Sequence, residues 1–318
     1  MSQAAYIASG KIVYDPYGRP LRNLRIAVTQ KCNLNCFYCH KEGENPSTSE
    51  MTPSEISIIA HVAAEFGISR FKITGGEPLM RSDISEIVAS IASIEGVRDV
   101  SMTTNGTILS SKAEELVEAG LERVNISLDT INPQTYNQIT KGNIKPVLES
   151  IEAAIQAGLG PIKINTVVLR GLNDSEIMEM VSFAEKAGVI LQLIELEPIG
   201  MKPETYEKFH DDLKNLEKEF SKMAREVDVR RTMHNRKRYL LPKLEVEVVR
   251  SMDNSMFCSA CTRMRLTSDG KLKPCLMRKD NLVDIVTPIR VGASHQEVRK
   301  IFLDAVQKRQ PYFSRKID

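Results

Sequence analysis

Apolar positions along this chain recur in two alternating rhythms. Short runs rich in β-branched residues fall at 24-LRIAV-28, 71-FKIT-74, 100-VSMT-103, 124-VNISL-128, 162-IKINTVVL-169 and 190-ILQLIEL-196. Between them, residues 54–67, 82–96, 110–120, 145–158 and 174–188 carry apolar side chains at the three-to-four spacing of amphipathic helices. Ser54 and Ser82 read as N-caps, each ahead of an acidic residue, and Gly67, Gly96, Gly120, Gly158 and Gly188 read as C-terminal stops. Strand, loop, helix, glycine, strand is the order of a parallel sheet with crossover helices. Six such units are fewer than the eight of a closed barrel. The fold class predicted is α/β, a partial, open (β/α)6 TIM-type barrel, and the period also permits a doubly wound open sheet. Either architecture puts ligands at the carboxyl ends of the strands.

After about residue 200 the rhythm changes. Residues 202–228 form a charged helical segment, and 230-RRTMHNRKR-238 is a basic run whose plain reading is a solvated face. The stretches 244-LEVEVVR-250 and 263-RMRLTSDGKLKPCL-276 then alternate like antiparallel strands, with Ser268, Asp269 and Gly270 as a hairpin turn. Two domains are expected: a barrel over 1–200 and a smaller β-containing lobe over 201–318.

Composition narrows the function. The 318 residues are 42% hydrophobic, enough for a sizeable core, and a net charge of +2 gives no support for general nucleic-acid binding. No basic-then-apolar leader is readable at the N-terminus, and runs such as 187-AGVILQLIEL-196 are too short to span a bilayer. A cytoplasmic protein is expected. Of the six cysteines, three lie within 32–39 and three within 258–275. In such a compartment, thiols serving a metal or catalysis are a better reading than a disulfide framework.

Cys32, Cys36 and Cys39 follow the first strand with C-x3-C-x2-C spacing. A loop of that spacing lets three thiolates converge on one [4Fe–4S] cubane and leaves one iron without a protein ligand. A zinc site with His40 as fourth ligand is the alternative, although structural zinc ligands usually come as two separated pairs. The run 74-TGGEPL-79 follows the second strand; its glycines allow close approach of backbone to a ligand, and Glu77 is placed to accept from an ammonium group. Cys258, Cys261 and Cys275 form a second triad with C-x2-C-x13-C spacing. A hairpin would fold Cys275 back beside the other two. A second cluster with an open iron is the simpler account, and zinc with His234 is the alternative.

C-x3-C-x-Y-C followed by GGEP resembles the radical S-adenosylmethionine (SAM) superfamily. That resemblance implies SAM contacts at Tyr38, Gly76 and Ser127, the last within 125-NISLD-129. Two cysteine triads, with CTR-x-R inside the second, resemble the MoaA family of molybdenum-cofactor biosynthesis, the GTP 3′,8-cyclases. The resemblance runs from about Asp15 to Cys275 and takes in 15-DPYGRPLRNLRIAVTQKCNLNCFYC-39 and 103-TTNG-106. It implies GTP contacts at Arg25, Lys72, Thr103, Lys163, Arg263, Met264 and Arg265. Converging Arg and Lys at strand ends suit a triphosphate through charge-assisted hydrogen bonds.

The activity implied is one-electron cleavage of SAM, hydrogen abstraction from the ribose 3′ carbon of GTP, and closure onto C8 of guanine. Two [4Fe–4S] clusters and SAM would carry this chemistry, with no catalytic side chain singled out. The resemblance also implies an electron donor of flavodoxin or ferredoxin type and a following pterin-synthesis enzyme that takes the product. It allows a homodimer and implies neither membrane nor nucleic acid. The chain departs from the family at Lys72, commonly Arg, and at Glu197, a Met near SAM; it ends in 314-SRKID-318 where many members have Gly-Gly. Two rivals stay open: a peptide-modifying radical SAM enzyme with auxiliary clusters, and a zinc-stabilised nucleic-acid-binding protein using residues 230–238.

Overall fold

A computed structural model describes residues 12–313 except residue 232. The N-terminal stretch, the SRKID tail and one position of the basic run therefore lie outside the described residues. Six strands pair in chain order and all in parallel: β1 (Asn23–Ala27), β2 (Arg70–Thr74), β3 (Asp99–Thr104), β4 (Arg123–Ser127), β5 (Lys163–Val168) and β6 (Ile190–Glu195). Sequential order without a reversal rules for the barrel-type winding over the doubly wound sheet. The crossovers contain α1 (Pro53–Glu65), α2 (Ile84–Ala92), α3 (Ala113–Glu118), α4 (Pro133–Thr140), α5 (Lys145–Gln156) and α6 (Ile177–Ala187).

The C-terminal region departs from expectation. After α7 (Pro203–Phe209) and α8 (Lys214–Met223) come β7 (Glu226–Arg230), β8 (Arg236–Leu240), β9 (Glu245–Val249), the short α9 (Ser255–Ser259), β10 (Arg263–Leu266), β11 (Lys271–Lys273), β12 (Val283–Asp284), α10 (Val286–Arg290) and α11 (His295–Gln307). These strands build no sheet of their own. β9 pairs in parallel with β6, and β10 pairs in parallel with β1. Antiparallel β7–β8 and β11–β12 finish the two edges, so one sheet runs β12-β11-β10-β1-β2-β3-β4-β5-β6-β9-β8-β7 among the described residues. The hairpin turn through Gly270 forms as expected, with Thr267 and Lys271 paired across it.

Local signals explain smaller differences. α1 starts two residues earlier than its serine suggests: Thr52 is the N-cap, Pro53 is the first helical residue, and Thr52 and Glu55 form a reciprocal capping box. α2 begins after Asp83 rather than Ser82, without a side-chain cap. All five stop glycines adopt left-handed backbone. The charged segment breaks at Leu213, itself left-handed (φ 56°), and its last residues join β7.

Along β1–β6 the side chains alternate strictly. Leu24, Ile26, Phe71, Ile73, Val100, Met102, Val124, Ile126, Ile164, Leu191 and Leu193 are buried in the main core. Their neighbours Arg25, Lys72, Thr103, Asn125, Lys163 and Gln192 line a single interior cavity. A closed barrel fills its interior with branched apolar layers; here that face is polar and the apolar face packs under the helices. Arg236 of β8 and Arg263 of β10, from opposite flanks of the sheet, line the same cavity, so the sheet curls until its two flanks face each other.

The last helix closes the shell. α11 opens with a capping box between Ser294 and Glu297 and lays Phe302 flat on Phe66, with ring centroids 5.6 Å apart. Both rings are at most 1% exposed. Phe302→Ala is expected to cost about 3–5 kcal/mol by removing this packing and leaving a cavity; urea denaturation of the variant against the parent protein measures it.

Candidate functional site

The mouth of the cavity is organised by backbone. Beyond β2, Gly76 N–H donates to the carbonyl of Thr29 (2.7 Å) and Glu77 N–H to that of Lys31 (2.7 Å). A Cβ on Gly76 would lie 2.2 Å from the Lys31 carbonyl oxygen, so glycine alone permits the two loops to touch. That contact fixes where Cys32 leaves the strand end. Asn105, after β3, donates to Asn33 Oδ1 (2.8 Å), with its amide 3.8 Å from Cys32 Sγ. Cys32, Cys36 and Cys39 all line the cavity. Burial pushes the Cys36 thiol up, and Asp129, Cys39 and Cys32 push it further, which is the electrostatic mark of thiols crowded together.

Tyr38, Gly76 and Ser127 line the same end. Tyr38 Oη donates to Asp129 Oδ2 (2.6 Å), and burial raises the Asp129 carboxyl to about 6. Glu77 does not play the part expected of it. Its carboxylate is fully buried and already accepts from Leu79 N–H (3.0 Å), Thr104 Oγ1 (2.7 Å) and Asn105 N–H (2.6 Å). It ties the β2 loop to the β3 loop and has no free face for an ammonium group.

The second triad is held from both ends of the chain. Cys261 N–H donates to the Cys258 carbonyl (3.2 Å), and Cys275, returned by the β10–β11 hairpin, feels the charge of both. Arg19 donates to the Cys258 carbonyl (3.0 Å) and Arg309 to the Cys261 carbonyl (2.8 Å). Both guanidiniums share Asp15, at 2.8 and 3.2 Å, and Arg309 is fully buried. Burial alone would raise the Cys261 thiol, but Arg309 and the backbone N–H it accepts from reverse the sign, so it is lowered overall. Arg309 lies outside every motif, and only its burial reveals it.

All six cysteines are free thiols. Two sets of three soft sulfur donors are the donor chemistry of iron–sulfur clusters. Among the described residues no group of three or more His, Cys, Asp or Glu is drawn in tightly enough to hold one metal ion. A structural zinc site takes four protein ligands, so sets of three thiols suit a cubane with one iron left open. His40 has already committed Nδ1, which accepts from Glu42 N–H (3.0 Å).

Deeper in, the lumen is strongly cationic. Arg25, Lys72, Arg265, Arg263, Lys163 and Arg236 line it, and Thr103 Oγ1 is buried there without a hydrogen-bond partner. Several of these residues are not at carboxyl strand ends. Lys72 sits mid-strand in β2, Lys163 opens β5 and Arg263 opens β10. The carboxyl ends are taken by the first cysteine loop and its neighbours, leaving the amino-end half of the lumen for charge.

Glu42 pairs with Arg25 (3.5 Å) and Arg265. Glu247 pairs with Lys163 (2.6 Å), Arg230 and, at 4.0 Å, Arg236. Burial pushes each carboxyl up, but these cations overcome it and hold both near 2. Arg263 has no carboxylate partner among the described residues. Burial lowers the Lys72 amine well below its usual range, with Arg25 next in effect, and its Nζ donates to Asn125 (2.7 Å).

Two expectations are corrected here. The Met264 side chain is sealed in the core, because strand alternation sends it to the face opposite Arg263 and Arg265. The basic run is not simply a solvated face. His234 and Arg236 are 4% and 7% exposed and line the lumen, while Arg231 and Lys237 point outward. Alternation along β8 separates Arg236 from Lys237, and the left-handed backbone at His234 and Asn235 shapes the loop before it. Glu197, at the family's Met position, faces the lumen and adds negative charge near Arg25 and Arg236.

The fold is that of a radical SAM enzyme. Solved structures of SuiB from Streptococcus suis bound to its precursor peptide superpose with a TM-score of 0.64 at 18% identity, covering 95% of this chain and 66% of that one. The anSMEcpe structure with bound AdoMet gives 0.56 at 18% identity, covering 81% and 76%. The Radical SAM superfamily model matches residues 26–184, and the Molybdenum Cofactor Synthesis C model matches 189–315. Proteins named "Probable GTP 3',8-cyclase" from Methanococcus aeolicus (47% identical, 94% of this chain, 99% of the relative) and Pyrococcus abyssi (50%, 95% and 100%) match end to end. The chain belongs to the GTP 3′,8-cyclase family of radical SAM enzymes.

Arg309→Leu is expected to destabilise the protein by about 3–5 kcal/mol, because it removes one of the two guanidiniums paired with the buried Asp15 carboxylate and the donor to the Cys261 carbonyl; thermal unfolding monitored by circular dichroism reads the loss. Glu247 has a folded-state value near 2, below its unfolded 4.5, so its contribution is complete above pH 4.5 and vanishes as pH falls toward 2. Denaturation midpoints between pH 6 and pH 2.5 should therefore fall less steeply in Glu247→Gln than in the parent protein.

Proposed function

We propose that this chain converts GTP to (8S)-3′,8-cyclo-7,8-dihydroguanosine 5′-triphosphate, the first step toward the molybdenum cofactor's pterin. The observation that carries the reading is the cationic lumen, lined at one end by the first cysteine triad and elsewhere by Phe257, Thr262 and Leu276, the chain neighbours of the second, its positive charge only partly answered by Glu42 and Glu247. A triphosphate supplies the missing negative charge, and fork-shaped guanidiniums match its oxygens.

In this reading residues 1–200 hold the first [4Fe–4S] cluster on Cys32, Cys36 and Cys39, with Tyr38, Gly76 and Ser127 around SAM. Residues 201–318 supply Cys258, Cys261 and Cys275, which would hold a second [4Fe–4S] cluster with one iron left free for the guanine. The cluster and SAM together supply a 5′-deoxyadenosyl radical when bound. The chain's own residues position and enclose. Arg25, Lys72, Lys163, Arg263 and Arg265 grip the phosphates, and Thr103, with its unpartnered hydroxyl, meets a polar group of the nucleotide. The Tyr38–Asp129 hydrogen bond holds the ring over the mouth of the cavity. Orientation is the main contribution, since a well-placed reaction centre gains on the order of 7–11 kcal/mol over free encounter.

The enzyme would act in the cytoplasm, take electrons from a flavodoxin- or ferredoxin-type donor, and pass its product to a pterin-synthesis enzyme. Among the described residues no helix is long and apolar enough to cross a membrane. Anaerobic reconstitution with iron and sulfide, then incubation with SAM, dithionite and GTP, tests the assignment. 5′-Deoxyadenosine should rise with GTP, together with a cyclised guanosine triphosphate; release indifferent to GTP would remove the substrate assignment while leaving radical SAM chemistry intact.

A further inference from the structure

β7 and β8 are joined by a five-residue loop whose last two positions, His234 (φ 64°) and Asn235 (φ 52°), both have left-handed backbone. Two successive non-glycine residues in that region are uncommon and cost conformational energy. Their side chains show what holds them there. Asn235 Nδ2 donates to the Met256 carbonyl (2.9 Å), tying the turn to the helix that carries Cys258. The His234 imidazole stacks on Phe257, with centroids 4.3 Å apart. The turn thus drives His234 into the lumen, and Arg236, two residues on at the start of β8, lines it as well.

Both side chains arrive with unused polar atoms. His234 Nδ1 and Arg236 Nε are buried without hydrogen-bond partners. Such an atom costs about 1–3 kcal/mol wherever nothing answers it. Their surroundings are rich in cations: Arg263, Arg236, Arg265 and Arg25 bear on the imidazole, and Arg25 and Arg230 repel Arg236 against the attraction of Glu247 and, more weakly, Glu197. Guanidiniums only donate, so they cannot supply an acceptor for one another. What this pocket lacks is an anion with several acceptor oxygens.

We propose that the His234–Arg236 turn is a substrate-binding element that holds a phosphate of the nucleotide, facing Arg263 and Arg265 across the lumen. It rests on the GTP reading and assigns residues that the family motifs leave out. Arg236 donates from its Nε edge, and the imidazole, whose protonation is disfavoured by burial first and by its arginine neighbours second, donates one N–H.

Equilibrium dialysis of the reconstituted protein against GTP and against guanosine tests it, using His234→Ala, Arg236→Gln and Arg236→Lys. Each variant should bind GTP about tenfold more weakly, about 1.4 kcal/mol, with guanosine affinity within about twofold of the parent. Arg236→Lys keeps the charge and loses the fork, so it reads geometry where the bolder variants lose stability. Wild-type GTP affinity in all three would overturn the proposal. So would equal weakening of GTP and guanosine, since that marks a merely structural turn. If the parent protein binds GTP no better than guanosine, the GTP reading itself fails, an outcome separate from the other two.

Discussion

The structure depends on one constraint: in each of the six parallel strands, alternate side chains must face a helix layer and a wet interior. A parallel sheet covered on both faces reads as continuous apolar runs. Here 70-RFKIT-74 and 123-RVNIS-127 put Phe71, Ile73, Val124 and Ile126 under the helices and leave Arg70, Lys72, Arg123 and Asn125 inside. All the stabilising apolar burial is thereby pushed to the outer layer. The inner layer is free to be charged, and the sheet cannot close on itself without colliding cations. Curling around a cavity rather than a packed core follows from the alternation itself.

Such an interior has to be held together by counter-charge. Glu42 and Glu247 sit on opposite sides of the lumen, and each binds cations from more than one strand. Glu42 reaches inward because Lys41 and Glu42 are both left-handed (φ 46° and 52°), the device that recurs at His234 and Asn235. Strained turns of this kind persist where the surrounding structure over-determines them. Buried ion pairs are poor sources of stability compared with apolar packing of the same volume. Their presence in the lumen therefore reflects what the lumen must bind, and the outer core, down to the stacked Phe66 and Phe302, carries the stability that this arrangement gives up.

The chemistry was more legible in the sequence than the topology. Cysteine spacing, GGEP and the strand–helix rhythm are local, and local patterns survive in a one-dimensional reading. The six-strand order and the convergence of Arg25, Lys72, Thr103 and Lys163 followed from them. Partners far apart in the chain did not: β9 and β10 look like neighbours in an antiparallel lobe, yet hydrogen-bond to opposite flanks of the sheet. Burial decided the rest. Glu77 looks available until its three donors are counted, and Met264 belongs to a motif whose alternate members face away from the ligand. The basic run reads as solvated because charge runs usually are, and only the turn at His234 shows which half of it points inward.

The flanking strands also explain how both cysteine loops come to border one cavity although 219 residues separate Cys39 from Cys258. β10 pairs with β1 in register, Arg25 opposite Arg265, so the second triad is anchored to the strand that launches the first. Asp15, Arg19 and Arg309 then clamp the carbonyls of Cys258 and Cys261 from the segment preceding β1 and the residues after α11. Displacement of that clamp would move the second loop relative to β1, and with it Arg263 and Arg265. Distance between the two triads is thus set by strand pairing and one buried carboxylate, while the charge in between is left for the ligand to complete.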